Sequence, residues 1–523
     1  MPALLLLLTA ATPAASADTR DTPDYERALV AIFAFGDTGA WMGCGFVVAD
    51  GGWALTTADL LTERFGPTAR ATLDHATVLS PWTGDAYRAE VKFVDRKANL
   101  ALLKLPIKGL PAAPLAGADA LQRVAVTTMG QLLTSGEMIG RRWKTGVYAL
   151  GRQSPSKETA RLAVKKWAAS NACLVQYEGS NWLFLGGMDP DENAPRAALV
   201  WRVGAGAVAI YNRRLILDSF KRPVKYGQCL SSTDIARVLG RAGLTAESLT
   251  KVAEPTVQPD KVSEQATQGI WATLSHIILG RWADAVRTAT ALVELRPESS
   301  LANLLLGASI AGGGKPQEGL KSMDKAVCLD PSSADAYFTR GTALASLGKA
   351  KEAEADFKKA MELSPADINP RMALVGLLAA DKDRIDEAID VAKKAVQLAP
   401  ERPGPRLTLA RMLKSRRNYD QAIAELEALI KIAPDWAPAE AALAVTQEAA
   451  GNLIAAETAY REVVKLEPKN PDALFALASF LADHDRKDEA KKLVTQILEL
   501  KPPKEIEAAA KELEKKLQPE PAP

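Results

Sequence analysis

A proline recurs at a nearly constant interval through the second half of this chain of 523 residues. Five of the six intervals are 34 residues and the third is 35 residues. The recurring residues are Pro297, Pro331, Pro365, Pro400, Pro434, Pro468 and Pro502. Because proline cannot continue a helix, a proline at this period is typical of a repeated unit of two antiparallel helices. The register predicts seven such repeats over residues 266–504.

Small residues mark two further fixed points in each repeat. Twelve residues before each proline stand Ala285, Gly319, Ala353, Ala388, Ala422, Ala456 and Ala490. Twenty-four residues before it stand Thr273, Gly307, Gly341, Gly376, Ala410, Ala444 and Ala478. We interpret both positions as the place where the two helices of a repeat cross closely, since a bulky side chain there would separate them.

The turn between the two helices favours a residue with a permissive backbone. Glycine stands at this position in four repeats, as Gly280, Gly314, Gly348 and Gly451. Repeats 4, 5 and 7 have Asp383, Arg417 and Asp485 instead. The sequence alone therefore leaves the turn geometry of these three repeats open.

The period and the small–small–Pro register resemble those of tetratricopeptide repeats, abbreviated TPR. The resemblance implies an all-α TPR superhelix with a groove lined by the first helices, followed by a capping helix and a Pro-rich tail in residues 505–523. It also implies a protein or peptide partner. Counting from the prolines places the partner-binding candidates Phe338, Arg411, Lys414 and Phe475 on the inner face. The aromatic residues could equally pack between repeats, and the two cations could form a solvated face.

The first half of the chain has a different pattern, in which short β-prone runs alternate with turn signals. Runs such as Ala28 to Phe35 and Leu100 to Leu105 recur at a spacing typical of an all-β sandwich or barrel. Asp50-Gly51-Gly52 predicts a hairpin between two of them. Residues 244–265 contain prolines and no periodicity, which predicts a linker between the two halves.

Several motifs of this region, in order, resemble the trypsin-like peptidases of the bacterial HtrA type. They are Gly43-Cys44-Gly45-Phe46-Val47-Val48, then Leu55-Thr56-Thr57-Ala58-Asp59-Leu60-Leu61, then Asn99-Leu100-Ala101-Leu102-Leu103-Lys104. The resemblance implies that residues 18–243 form an all-β trypsin-like double barrel. The expected chain is therefore a multidomain protein with a β domain and an α superhelix.

The resemblance fails at the catalytic positions. A serine peptidase needs an imidazole base, a carboxylate that orients it, and a serine nucleophile. At these positions this chain has Asp59, Asn99 and Gly206, so we expect a degenerate triad and no peptidase activity. An alternative is that His75 and Ser180 serve as the base and the nucleophile at other positions of the domain, although Gly179-Ser180-Asn181 is typical of a hairpin turn. We expect His75 to be a surface residue of a strand.

Composition and the N-terminal segment limit the remaining functions. The net charge of +2 argues against a nucleic-acid partner. The chain has three histidines and no motif for binding a metal or another cofactor. Residues 1–17 have the apolar run and small-residue site of a signal peptide, which predicts an exported protein, periplasmic or secreted. We expect no membrane span. Among the four cysteines, a Cys173–Cys229 disulfide and free thiols are both open.

Together these features predict a pseudo-protease that acts as an exported scaffold or adaptor for protein–protein interaction. One alternative is an active trypsin-like serine endopeptidase that recruits its substrates through the repeats. Another is a peptide-binding chaperone or adaptor that delivers clients to a genuine peptidase. The sequence does not indicate the oligomeric state or the identity of the partner.

Overall fold

The structure is a computed structural model, and it describes most of the chain. The described residues are 28–36, 39–49, 51–65, 69–80, 82–115, 125–134, 137–149, 172–177, 180–185, 199–202, 206–217, 224–250, 256 and 262–518. For the strands between 125 and 231 only the backbone is described. The predicted signal peptide, residues 1–17, lies outside these ranges.

The first β unit is a closed barrel of six strands. Its strand order is β1-β2-β3-β8-β7-β6, with β4 and β5 forming a separate hairpin. The strands are β1 Leu29–Phe35, β2 Ala40–Ala49, β3 Trp53–Thr56, β4 Thr62–Phe65, β5 Ala69–Thr72, β6 His75–Ser80, β7 Asp85–Asp95 and β8 Leu100–Lys104. The core contains Val30, Ile32, Val78 and Leu103, all almost fully buried. The predicted turn at Gly52 has a φ of 76°, which explains the glycine.

The second β unit is a closed barrel of seven strands, ordered β10-β11-β12-β15-β14-β13-β9. Its strands are β9 Ala125–Thr134, β10 Glu137–Ala149, β11 Ala172–Tyr177, β12 Ser180–Leu185, β13 Leu199–Arg202, β14 Gly206–Leu217 and β15 Val224–Ser231. One pair, β10 with β11, is parallel.

The strand register of this barrel does not support the Cys173–Cys229 disulfide. Cys173 is opposite Phe184 on β12, and Cys229 is opposite Leu183 on the same strand. Two strand spacings, about 9–10 Å, therefore separate the two backbones, whereas a disulfide needs Cα atoms within about 7 Å. The side chains of both cysteines lie outside the described part of the chain.

The segment predicted as a linker is partly helical and is attached to the first barrel. Helix α1, Ser232–Gly240, ends just before this segment. A short helix α2, Ala246–Thr250, lies within it. The amide of Leu115 donates a hydrogen bond of 2.7 Å to the carbonyl of Leu249, and the amide of Thr256 donates one of 3.1 Å to Gly109. Leu249 is fully buried. Sequence periodicity missed α2 because five residues are too few to show a helical period.

The second half is a solenoid of seven helix pairs with a final helix. The pairs are α3 Ser263–Ile278 with α4 Trp282–Leu295, α5 Ser300–Gly312 with α6 Pro316–Leu329, α7 Ala334–Ser346 with α8 Ala350–Leu363, α9 Asn369–Ala379 with α10 Ile385–Leu398, α11 Pro403–Ser415 with α12 Tyr419–Ile432, α13 Ala437–Ala449 with α14 Leu453–Leu466, and α15 Pro471–Asp483 with α16 Lys487–Glu499. Helix α17, Lys504–Lys516, covers the last pair and buries Ala510.

The small positions of repeats 2 and 3 are close helix crossings, as the sequence predicted. A Cβ atom on Gly319 would lie 2.6 Å from the carbonyl oxygen of Gly307, so the backbones of α5 and α6 touch there. On Gly341 it would lie 2.8 Å from the ring of Phe357. In repeat 1 the hydroxyl of Thr273 instead donates across the pair to the hydroxyl of Thr288, at 2.9 Å.

In repeat 4 the predicted small position is displaced by one residue. Gly376 is exposed, and a Cβ atom added to it would meet nothing within 4 Å. The fully buried neighbour Val375 instead faces the helix pair. The cause is the longer repeat: counting back from Pro400 crosses an extra residue in the turn between α9 and α10, which holds a 3-10 helix, Lys382–Arg384.

The interhelical turns adopt the left-handed backbone in most repeats. The φ angle is 66° at Gly280 and 75° at Gly348, and non-glycine residues reach similar values, 61° at Arg417 and 60° at Asp485. Asp383 does not, because it lies in the 3-10 helix of repeat 4. Among the described residues, no helix is long and apolar enough to cross a membrane.

Candidate functional site

Two of the three residues that the sequence predicted at the triad positions meet in the first barrel. Asp59 lies in a 3-10 helix, Ala58–Leu61, that follows β3, and Asn99 ends the turn between β7 and β8. The amide of Asp59 donates a hydrogen bond of 2.9 Å to Asn99 Oδ1. Asn99 Nδ2 donates one of 3.1 Å to Asp59 Oδ2. The pair is thus closed on itself and contains no imidazole.

Asn99 is suited to this position by its backbone as well as its amide. Its φ is 51°, a left-handed conformation that asparagine tolerates better than most residues. Asn99 is buried, with only 6% of its surface exposed. It therefore serves as a turn residue that also holds the short helix of Asp59.

The third residue predicted at a triad position, Gly206, and the alternative nucleophile, Ser180, lie on the second barrel. Gly206 begins β14 and is opposite Arg202 of β13. Ser180 begins β12 and is opposite Tyr177. The side chain of Ser180 is outside the described part of the chain. Gly206 has no side chain that could act as a nucleophile.

His75 lies on a strand, as predicted, but it is half-buried and contacts Arg88. It begins β6, where Arg88 Nη2 lies 2.8 Å from its Nε2. Because a guanidinium can only donate, Nε2 must accept, and the imidazole is neutral. Burial, together with the charge of Arg88, lowers the pKa of His75 from 6.5 to about 4. This imidazole is therefore engaged away from the Asp59–Asn99 pair.

Arg88 also connects the first barrel to the solenoid. Its Nη1 donates to Asp335, the second residue of α7. Its Nη2 lies 2.6 Å from Asp367 Oδ2 in the turn before α9. Asp367 is only 4% exposed, so the ion pair is largely removed from water. Sequence reasoning missed this contact because 247 residues separate Arg88 from Asp335.

Further contacts extend this interface toward the C-terminal repeats. Arg402, which precedes α11, lies 3.7 Å from Glu63 of the β4–β5 hairpin and 3.6 Å from Asp74, which stands between β5 and β6. Both Arg402 and Glu63 are almost fully buried. The ring of Phe65 in the β4–β5 hairpin contacts Trp436, which precedes α13, at a centroid distance of 5.4 Å.

The interface also extends toward the N-terminal repeats. Arg296, at the end of α4, donates 2.8 Å to Asp85 Oδ1 and 3.1 Å to the carbonyl of Thr83. The rings of Phe33 and Trp271 pack at 4.8 Å. We call this interface the barrel–solenoid seam. Its solenoid side consists of Trp271, Arg296, Asp335, Asp367, Arg402 and Trp436.

Most solenoid residues of the seam lie where one repeat passes to the next. Arg296, Asp367, Arg402 and Trp436 stand in the turns that precede a first helix, and Asp335 is in the first turn of one. The barrel therefore sits on one edge of the superhelix. The predicted groove residues stand farther along the first helices.

The four predicted groove residues divide into two kinds. Phe338 is partly buried and packs against the core of repeats 2 to 5, with its ring 6.2 Å from that of Phe357. Phe475 is partly buried against the core of the last repeats. Arg411 is exposed and Lys414 is half-buried. The described residues place no carboxylate within salt-bridge distance of either cation.

A cleft of about 570 Å³ lies between α6, α7 and α8. Most of its charged groups are paired with one another. Arg340 donates two hydrogen bonds to buried Asp356, at 2.8 and 2.7 Å, and one of 3.0 Å to Asp324. The hydrogen bonds to Asp356 raise the pKa of Arg340 above its usual value. The cleft therefore holds a structural ion cluster and makes no specific demand for a ligand. The described residues contain no metal-binding cluster.

The repeats match known sequence families. A tetratricopeptide repeat model matches residues 379–445 and 448–516, and a second tetratricopeptide repeat model matches residues 334–367. These residues are tetratricopeptide repeats, which confirms the repeat prediction. No curated protein matches the chain.

Several solved repeat structures are similar to this chain. One is the APC/C hetero-tetramer Cut9-Hcn1, which is 17% identical, with a TM-score of 0.36. The match covers 48% of this chain and 49% of the other chain. YrrB, titled a TPR protein with an unusual peptide-binding site, is 22% identical, with a TM-score of 0.31 over 37% of this chain and 98% of its own. A tetratricopeptide repeat protein from Parabacteroides merdae is 19% identical, with a TM-score of 0.37 over 48% of this chain and 97% of its own.

Proposed function

We propose that this chain is a catalytically silent, trypsin-like β domain fused to a tetratricopeptide solenoid, and that it works as an exported scaffold for protein partners. The observation that carries the proposal is the closed pair of Asp59 and Asn99. At the positions where the family has its base and its orienting carboxylate, two polar groups satisfy each other.

The chemistry of the pair supports the absence of peptidase activity. A serine hydroxyl is a poor nucleophile at neutral pH unless a base takes its proton. A carboxylate held by an amide is a much weaker base than an imidazole. His75, the only histidine of the β domain, is bonded to Arg88 instead.

The trypsin-like origin is part of the proposal and rests on three observations. The family-like motifs occur in the family order, and the first barrel is closed with six strands. The residues at the expected base and carboxylate positions also lie within hydrogen-bonding distance of each other. An ancestral triad at these positions would need the same proximity.

The solenoid supplies the protein-binding surface. Tetratricopeptide repeats form a scaffold suited to protein–protein interaction, because stacked repeats present a long concave surface. On that surface Arg411 and Lys414 lie three residues apart on α11, and no carboxylate of the described residues neutralises them. Two such cations on one helix face suit a carboxylate of a partner peptide.

Export is proposed from the first 17 residues. Cleavage after Ala17 would leave Asp18 as the first residue of the mature protein. N-terminal sequencing of the protein from a cell-envelope fraction tests this directly. Recovery of an uncleaved chain from the cytosol would remove the export proposal and leave the scaffold proposal intact.

The scaffold proposal is tested by affinity capture with the full-length protein and two matched variants. Arg411→Glu with Lys414→Glu reverses both groove cations, whereas Lys351→Glu with Lys359→Glu reverses two exposed lysines of α8. We expect the groove variant to lose several-fold of the captured partner at low salt and the control variant to retain it, with unchanged melting in both. Equal capture by wild type and both variants would move the binding surface elsewhere.

A further inference from the structure

The barrel–solenoid seam contains a histidine at its centre. Within the part of the chain that the structure describes, the seam connects one barrel to repeats 1 through 6 by three arginines and two aromatic pairs. The arginines keep their charge throughout the physiological pH range, and the aromatic rings carry none. His75 is the exception, because an imidazole changes charge near neutral pH.

The geometry around His75 couples its protonation state to docking. Arg88 uses one nitrogen, Nη2, to reach both His75 Nε2 at 2.8 Å and Asp367 at 2.6 Å. The lone pair on Nε2 exists only in the neutral ring. A proton there would remove the acceptor and place a positive charge against the guanidinium, in a partly desolvated position.

The charged groups around His75 come from both sides of the seam. Arg88 on β7 and Arg402 before α11 oppose its protonation, while Asp335 on α7 and Asp367 before α9 favour it. Burial is the largest influence and also opposes protonation. The balance keeps the docked ring neutral, whereas a ring exposed by undocking would take up a proton more readily.

We propose that the seam is an acid-responsive latch, in which neutral His75 keeps Arg88 in its bridge to Asp335 and Asp367. Protonation of His75 weakens that bridge and favours release of the first barrel from repeats 3 and 4. The solenoid, no longer attached to the barrel at its middle, is then free to change its curvature. The device acts on domain arrangement and is independent of any peptidase chemistry.

The size of the response follows from linkage. The pKa of His75 is about 4 in the docked form, against an ordinary value of 6.5. Between pH 4 and pH 6.5 the released form therefore binds more protons than the docked form. Docking therefore weakens as the pH falls through this window. Between pH 7.5 and pH 5 the ratio of released to docked molecules should rise about 30-fold.

The test is single-molecule energy transfer in the full-length protein. Dyes are attached through azide-bearing residues that replace Lys92 on β7 and Lys359 on α8, both exposed and outside the seam. Because the seam contains buried ion pairs and buried aromatic contacts, urea below the unfolding range is added until a few per cent of molecules are released at pH 7.5. The ratio of released to docked molecules is then measured down to pH 5.

Three variants assign the response to one residue. In His75→Gln the side-chain oxygen can still accept from Arg88 but does not titrate, so we expect less than a 2-fold change. In His276→Gln and His484→Gln, which change the other two histidines, the 30-fold response should remain. A flat wild-type profile, or an equal response in His75→Gln, would overturn the proposal. Arg88→Ala should show a raised released fraction at pH 7.5 and a weaker acid response.

Discussion

Asp59 and Asn99 hydrogen-bond to each other in both directions across 40 residues of sequence. One bond uses the backbone amide of Asp59 and the other uses its carboxylate, so the Asn99 side chain serves as both acceptor and donor. The two residues therefore fix the 3-10 helix of Asp59 against the turn that Asn99 ends.

Replacing Asn99 by aspartate tests the pairing. Asn99→Asp keeps a residue that tolerates the left-handed backbone, but it places a second carboxylate against Asp59 and removes the donor at 3.1 Å. We expect a loss of about 1–3 kcal/mol in the free energy of unfolding at pH 7. Chemical denaturation provides the measurement.

The exchanged pair is the control. Asp59→Asn together with Asn99→Asp restores a donor opposite a carboxylate, so most of the lost stability should return. A double variant no more stable than Asn99→Asp alone would show that the two side chains do not interact as described.

Two glycines of the solenoid provide a matched test of helix packing. Gly341→Ala introduces a methyl group 2.8 Å from the Phe357 ring and should destabilise by about 1–3 kcal/mol. Gly376→Ala introduces the same group into open space on a helix and should stabilise by about 0.5–1 kcal/mol. Thermal or denaturant unfolding of the two variants provides the measurement. Equal changes in the free energy of unfolding would contradict the finding that Gly341 lies at a helix crossing and Gly376 does not.

The sequence predicted local features better than distant contacts. Proline and small residues recur along one helix pair, so Gly307 and Gly319 could be placed from the repeat alone. The same counting failed at Gly376 because one extra residue entered a turn. The contact of Arg88 with Asp335 joins segments with no shared pattern, and so neither the seam nor the contact of His75 with Arg88 could be predicted.

The turn of repeat 5 should gain stability from glycine. Arg417 has a φ of 61°, a conformation that costs an ordinary residue about 1 kcal/mol and glycine little. Arg417→Gly should therefore raise the free energy of unfolding by about 0.5–1 kcal/mol. Asp383→Gly, in the 3-10 helix of repeat 4, should give no such gain. Destabilisation by Arg417→Gly would contradict this account of the turn.

The central claim, that the β domain performs no serine peptidase chemistry, is tested most directly by covalent labelling of the full-length protein with a fluorophosphonate probe. An active trypsin-like enzyme is the positive control, and casein hydrolysis is followed in parallel. Because the Asp59–Asn99 pair contains no imidazole and His75 is bonded to Arg88, we predict no label and no cleavage at neutral pH. Stoichiometric labelling that disappears in Ser180→Ala would contradict the claim and would identify an active endopeptidase.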